Sequence, residues 1–268
     1  MKVKNKKIIV TGGGAGIGRE LVLQLIKLGA KEVIALDINE EGLKETKKLV
    51  NSDKVTTYTL DITDYPALKK FEKEYFKNHE YIDCLINNAG IIQPFVKVKE
   101  LEDKTVDLVM DVNFFGPVNL TRLFIDEILE RPEGHICNVS SMAGFFPFPS
   151  QTIYGASKAA LKIFTEGLYG EMLGTNVGVS IVFPGAIATD IVKNSNKVRG
   201  EKNEKGSEET KTNMKMTSAS EAARQIIEGI EKNKFQVYVG NDAKFMNKFY
   251  KFSPKKALKM INDKMKDM

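Results

Sequence analysis

The sequence predicts an α/β fold, a single domain built on a doubly wound parallel sheet of about seven strands with helices on both faces, plus a C-terminal helical extension. Three observations carry this. Short apolar runs of strand length alternate with helix-length amphipathic segments through residues 7–240, and that alternation calls for crossover connections and a sheet covered on both sides. Small or polar residues (Gly12, Asp37, Asp61, Asn87, Ser141, Thr189) recur where predicted strands end, which is where open α/β sheets bind ligands. A chain of 268 residues, 42% hydrophobic and without internal repeats, can bury one full core.

Residues 7–11 read as the first strand and run into Gly12-Gly13-Gly14-Ala15-Gly16-Ile17-Gly18, after which Leu21, Leu25 and Leu28 mark one face of a helix. Strand, glycine turn and helix make a phosphate-binding arrangement of the Rossmann kind. Glycine admits positive φ and close backbone approach, and the helix N-terminus offers free N–H groups to a pyrophosphate. A tight turn without a ligand is the plain alternative for this cluster alone. The second strand, 32–36, ends at Asp37, roughly 20 residues past the loop, where an acid can accept hydrogen bonds from an adenosine ribose. Asp37 can also open the helix at 40–50.

The third strand, 54–60, is β-branched and ends at Asp61-Ile62 before a helix at 64–78. The fourth, 82–86, leads into Asn87-Asn88-Ala89-Gly90. A helix over 102–114 carries Asn113 and continues past Gly116-Pro117 to 129. A mid-helix asparagine is disfavoured without some reason, although it can bond its own turn. The fifth strand, 135–139, precedes Ser140-Ser141; a helix at 152–173, a strand at 177–183 and the turn Pro184-Gly185-Ala186-Ile187-Ala188-Thr189 follow. Residues 194–216 are charged and without clear periodicity, and a loop or lid is expected over about 190–217. Ser220-Glu221 opens a helix to 231, and 236–239 is a last strand. A catalytic domain over 1–240 is thus followed by an extension over 241–268, amphipathic in two pieces, 242–251 and one from Pro254 capped by Ser253. Packing against the body or a subunit is the expected role of the extension, and contact with a membrane interface the less favoured one.

Composition removes several function classes. The net charge of +5 comes from lysines spread along the chain, without basic blocks interleaved with aromatics, so no nucleic-acid partner is expected. Cys84 and Cys137 sit in apolar runs and read as buried free thiols. With only His79 and His135 available, no metal centre is expected. The apolar run behind the N-terminal lysines is too short for a signal peptide, no run reaches membrane-spanning length, and a cytoplasmic protein is expected.

The chemistry concentrates in residues 140–158. Tyr154 and Lys158 are four apart and share a helix face, so a neighbouring ammonium can favour phenolate and draw the tyrosine toward the working pH range. A solvent-facing lysine on an amphipathic helix is the ordinary reading of that spacing in isolation. Ser141 adds a hydroxyl from the adjacent strand end. Phe145-Phe146-Pro147-Phe148-Pro149 and Gln93-Pro94-Phe95 suggest the walls of an apolar substrate site, with Gln93 and Phe146 as candidate contacts, or else core packing.

With these residues in place, the sequence resembles the short-chain dehydrogenase/reductase family up to about Gly240. The resemblance rests on Thr11-Gly-x-x-x-Gly-Ile-Gly18, Asp61, Asn87-Asn-Ala-Gly90, Asn113, Ser141 thirteen before Tyr154, Tyr154-x-x-x-Lys158, and Pro184-Gly185 with Thr189. It implies a nicotinamide cofactor held by Thr11, Gly12, Gly14, Gly16, Ile17 and Gly18 at the pyrophosphate side, and by Asp61 and Ile62 at the adenine. Asn87, Ala89 and Gly90 would follow along the adenosine side, with Pro184, Gly185, Ile187 and Thr189 toward the carboxamide. It also implies that Ser141 holds the substrate oxygen, Tyr154 exchanges its proton, Lys158 bonds the ribose and lowers the Tyr154 pKa, and Asn113 supports a water relay. The expected activity is hydride transfer between NAD(H) and a secondary alcohol or ketone, apolar in character, in a homodimer or homotetramer. Asp37, with no cation in the glycine loop or after the second strand, favours NAD over NADP. A non-catalytic nucleotide-binding sensor or scaffold is the alternative, but it has no need of Ser141, Tyr154, Lys158 and Asn113 together. A sugar-nucleotide epimerase would prefer a longer chain and a different glycine spacing.

Overall fold

A computed structural model of the chain describes residues 1–201 and 216–266. The elements are β1 (Lys7–Thr11), α1 (Gly16–Lys27), β2 (Glu32–Asp37), α2 (Glu40–Val50), β3 (Val55–Thr59), α3 (Tyr65–Asn78), β4 (Cys84–Asn87), α4 (Asp103–Met110), α5 (Gly116–Leu129), β5 (Gly134–Val139) and α6 (Thr152–Glu171). They continue with β6 (Val177–Pro184), β7 (Ile187–Ala188), α7 (Ile191–Val198), β8 (Thr217–Ser218), α8 (Ala219–Glu231), β9 (Gln236–Val239), α9 (Asn241–Phe252) and α10 (Pro254–Lys266). Seven strands form one parallel sheet in the order β3-β2-β1-β4-β5-β6-β9, and β7 and β8 make a separate two-stranded ladder. Because β1 pairs with both β2 and β4, with Val10 opposite Ala35 on one side and Ile86 on the other, the strand order reverses there and leaves a crevice at the carboxyl ends.

Side-chain alternation along each strand splits the core into two layers. Ile8, Val10, Val33 and Ala35 face α1 and α8 through Leu21, Leu25, Ile226 and Ile230. Ile9, Ile34, Leu85 and Ile136 face the other way, against Leu68, Phe71, Leu120 and Phe124 of α3 and α5. Helix starts follow their caps: Asn39 accepts from Gly42 N at 3.2 Å to open α2, and Asp64 accepts from Ala67 N at 2.9 Å to open α3.

Several expectations change. The helix foreseen over 102–114 is interrupted by a π-helical turn, Asp111–Phe115, before α5 begins. The cap of α8 is Ser218, which accepts from Glu221 N at 3.1 Å, rather than Ser220. The predicted loop contains α7, and residues 202–215 of the expected lid lie outside the described residues. A third apolar cluster joins Phe146 to Met246, Ala257 and Ile261, which fastens the C-terminal extension to the body. Among the described residues, no helix is long and apolar enough to cross a membrane.

Candidate active site

The crevice at the carboxyl edge is a cleft of about 700 Å³. Its floor is the glycine turn, where Gly12 and Gly16 take φ of 70° and 50°, values that side chains rarely tolerate. Gly18 permits the closest approach, since a Cβ there would lie 1.9 Å from the Gly12 carbonyl oxygen. Thr11 is buried and ties two turns together. Its hydroxyl accepts from Asn88 N at 3.0 Å and Ala89 N at 2.9 Å, while its carbonyl accepts from Asn88 Nδ2 at 2.9 Å.

Asp37 lines the cleft, and its carboxylate is already oriented: Oδ2 accepts from Gly14 N and Oδ1 from Asn39 N, both at 2.9 Å. The cap of α2 is therefore Asn39, which leaves Asp37 for the cleft. The glycine loop itself carries no cation, yet folding brings one there from α1. Arg19 Nη2 donates to the Gly14 carbonyl and to Glu45 Oε2, each at 2.6 Å, so its charge is met by a carboxylate.

Gly12, Gly16, Ile17, Asp37, Asp61, Ile62, Ala89, Gly90, Ser141, Tyr154, Lys158, Pro184, Gly185, Ile187 and Thr189 all line the cleft. Thr11, Gly14 and Gly18 shape it from behind. Asn87 does not reach it. Its amide is buried and donates to Asn138 Oδ1 at 2.8 Å, and Asn138 in turn donates to Thr165 Oγ1 at 2.9 Å. Strand alternation turns Asn87 into the helical layer, and the neighbouring Asn88 takes the cleft position.

The catalytic candidates converge. Ser141 lies beyond the end of β5, and Tyr154 and Lys158 come from the first two turns of α6. Burial raises the Tyr154 phenol above its ordinary value, and a hydrogen bond from Ser141 opposes that rise. Lys158 is 3% exposed, donates to the Val139 carbonyl at 3.1 Å, and is brought down to about 7 by desolvation. At the phenol, desolvation outweighs the Ser141 bond, so its value is raised where the resemblance implied a lowering by Lys158. Ser140 bonds the backbone carbonyl of Lys158 through its hydroxyl at 2.8 Å and leaves Ser141 to face the cleft. Asn113 makes no bond to its own turn. Its Oδ1 accepts from Ile91 N and its Nδ2 donates to Ile91 O, both at 2.9 Å, with a further bond to Ser157 Oγ at 3.0 Å. The π-helical turn supplies the extra residue that lets this side chain reach the strand β4 loop. Gly90 lies against these groups, since a Cβ there would be 2.9 Å from Lys158 Nζ and 3.0 Å from Asn113 Oδ1.

Two substrate candidates are corrected. Gln93 is 1% exposed and serves the start of α6: its Oε1 accepts from Ile153 N at 2.8 Å and Tyr154 N at 3.0 Å, and its Nε2 donates to Ser150 O at 3.0 Å. Phe146 is fully buried and packs edge-on against Phe148 and Tyr250, beneath the C-terminal extension. The aliphatic residues Ile91, Ile92, Ile191 and Val198 line the cleft instead.

Residues that the sequence did not single out complete the enclosure. Ser195 Oγ accepts from Ile92 N at 3.0 Å, and Arg199 Nη1 donates to the Ile92 carbonyl, so α7 is fastened to the loop that also holds Asn113. Asn194 and Lys197 of α7 line the cleft. Asp242, in the first turn of α9, accepts from Ala186 N at 2.6 Å and braces the Pro184-Gly185 turn. Gly240, two residues before this acid, takes φ of 90° and is the local signal for that brace. Among the described residues, no group of three or more His, Cys, Asp or Glu could hold a metal.

Comparison with known proteins agrees with this arrangement. The short chain dehydrogenase family model matches residues 6–200. The chain is 34% identical to the 3-oxoacyl-(acyl-carrier-protein) reductase FabG of Thermotoga maritima over 195 residues, 72% of this chain and 78% of that one. Among solved structures, a short chain dehydrogenase/reductase from Burkholderia phymatum in complex with NAD superposes with a TM-score of 0.79 at 25% identity, covering 89% of this chain and 90% of the other. A short chain dehydrogenase from Burkholderia cenocepacia in complex with NADP gives a TM-score of 0.80 at 25% identity, covering 97% and 99%. Family match, sheet order and the Ser141, Tyr154 and Lys158 grouping agree, and the chain belongs to the short-chain dehydrogenase/reductase family of oxidoreductases.

Proposed function

We propose that the protein interconverts a secondary alcohol and a ketone with NAD(H) as redox partner, and that Tyr154 is the general acid/base. The observation that carries this is the meeting of Ser141, Tyr154 and Lys158 on one wall of a cleft whose floor is a positive-φ glycine turn. A nicotinamide dinucleotide fits such a cleft: Gly12 and Gly16 clear the backbone for a pyrophosphate at the start of α1, and Asp37 offers a fixed carboxylate to ribose hydroxyls. When bound, the cofactor gives or takes the hydride. The chain's own residues manage the proton. Ser141 and Tyr154 donate to the substrate oxygen where negative charge develops, and Tyr154 passes or receives the proton. Lys158, hydrogen-bonded to Val139 O, lines the same cleft as Tyr154 and has its amino group available to a ribose hydroxyl, while Asn113, bonded to both Ile91 N and Ile91 O, holds the backbone that borders them.

NAD is preferred over NADP in this reading because Asp37 would repel a 2′-phosphate, and because the nearest loop cation, Arg19, is engaged by Glu45. An apolar, lipid-like or alicyclic small molecule suits the aliphatic walls. Pairing into a dimer or tetramer is supported by Phe115 and Ile163, exposed beside the start of α5 and on α6. The test follows absorbance of the reduced nicotinamide with each cofactor across alcohols and ketones. NAD should lead by roughly a hundredfold, on the order of 3 kcal/mol, and Asp37→Ser with Ile38→Arg should narrow or reverse that ratio. Equal use of NADPH by the wild type would remove Asp37 from the ribose site, and no turnover of any carbonyl or alcohol would sink the reading.

A further inference from the structure

The fold uses one face of the C-terminal extension and leaves the other. Ala243, Met246, Ala257 and Ile261 turn inward and are buried, the last three in one cluster with Phe146. On α9, Phe245, Phe249 and Phe252 are spaced four and three residues apart along one stripe, with Phe249 half-buried at its edge against that cluster and the other two exposed. Phe252 is 90% exposed and Phe245 61%, and the rings of Phe245 and Phe249 stack with centroids 5.8 Å apart. Lys244, Lys248 and Lys251 occupy the adjoining row, all exposed, and Lys255, Lys256 and Lys259 are exposed on α10.

The charge distribution is equally lopsided. Residues 241–268 contain eight lysines against three aspartates, which is the whole of the chain's net charge of +5; residues 1–240 have equal numbers of basic and acidic side chains. Taken together, the basic residues of 1–240 are balanced by acids, and those of the extension are not. Lysines alone would make a solvated surface. Phenylalanine in the same face makes that surface less soluble, and the combination is what an interfacial helix uses: rings enter the headgroup boundary while lysine stems snorkel toward lipid phosphates. A second copy packed face to face is a poorer occupant, because two such basic faces repel.

We propose that the exposed face of α9 and α10 docks the protein on an anionic lipid surface. This holds whatever the reaction in the cleft. It places the docking helix next to the cleft wall, since Asp242 in the first turn of α9 bonds Ala186.

The test is flotation of the full chain with phosphatidylcholine vesicles, with or without roughly one-third phosphatidylglycerol; the anionic vesicles should carry at least roughly tenfold more protein at low salt and lose it at high salt. Phe245→Ser with Phe252→Ser should cut that recovery several-fold, and Lys248→Glu with Lys255→Glu should abolish it, with melting temperature unchanged because these side chains are exposed. Equal recovery on both vesicle types, or binding that survives both pairs of substitutions, overturns the proposal. So does retardation of duplex DNA by a protein that ignores vesicles, or a lower oligomeric mass in the serine variant of such a protein.

Discussion

The two ends of the parallel sheet both hold charged groups, and they treat them differently. At the amino edge every buried charge meets its opposite. Asp83, 1% exposed, accepts from Lys7 N at 2.9 Å and Arg131 Nε at 3.1 Å and lies 3.6 Å from Lys6 Nζ. Glu32 takes His79 Nδ1 at 3.0 Å and Lys7 Nζ at 4.0 Å, and the ring of Tyr81 lies under Lys7, Lys31 and Arg131. At the carboxyl edge the buried amine of Lys158 is hydrogen-bonded to a neutral carbonyl, with no carboxylate beside it among the described residues, and the phenol of Tyr154 to a hydroxyl. Balanced charges fix a structure and have little left to give. Groups held out of balance cost stability and remain available for chemistry.

The comparison is broken most directly at Tyr154. Tyr154→Phe keeps the ring and removes the transferable proton, so turnover should fall at least about a thousandfold, on the order of 4 kcal/mol of barrier. Nicotinamide binding, followed by fluorescence, should be retained. Near wild-type turnover would take Tyr154 out of the mechanism.

Lys158→Met should lower turnover and weaken cofactor binding together, and it also has a signature in stability. Lys158 titrates at about 7 in the folded protein against an ordinary 10.5. Between those values the unfolded chain binds the extra proton, so lowering the pH costs the folded state stability across this window, and the cost is constant below about pH 7. Methionine carries no proton. The melting-temperature difference between variant and wild type should therefore grow in the variant's favour from about pH 10.5 down to about pH 7, then level off. A difference independent of pH across that range would mean that the lysine is solvated.

The amino edge should respond in the opposite way. Asp83→Asn leaves Lys6 and Arg131 facing a neutral amide, which should cost about 3 kcal/mol of unfolding free energy by denaturant titration. Turnover at a temperature where the variant is folded should be unchanged. A variant that is fully stable but slow would contradict the division between the two edges.

Legibility in the sequence follows a similar division. Gly12, Asp37, Ser141, Tyr154 and Lys158 could be placed because each is fixed by its own strand end or helix turn, and the spacing of five parallel strands brings them together. Asn87 was misplaced because one step of strand alternation decides whether an amide meets the cleft or Asn138. Phe146 was misassigned for a longer-range reason: its neighbours Met246, Tyr250, Ala257 and Ile261 lie about a hundred residues away. α7 was invisible because its anchors, Ser195 and Arg199, bond a backbone at Ile92 that no local pattern reveals.

Gln93 gives the finest test, because it was read as a substrate contact and serves the catalytic helix instead. Its amide accepts from the first free N–H groups of α6, at Ile153 and Tyr154, and donates to Ser150 O, so it sets the start of the helix that carries both Tyr154 and Lys158. Gln93→Leu keeps the volume and strands two donors and one acceptor in a site that is 1% exposed. That should cost about 1–3 kcal/mol of stability and, through displacement of Tyr154, roughly tenfold in kcat. Gln93→Glu retains the acceptor for both N–H groups, and a carboxylate suits a helix N-terminus. It should recover most of the lost kcat, although the bond to Ser150 O is gone. A substrate contact predicts another pattern: both variants would raise KM, leave kcat and melting temperature near wild type, and change the ranking of substrates. A split in which kcat follows the helix bond and KM does not is the outcome expected of a residue that holds Tyr154 in place.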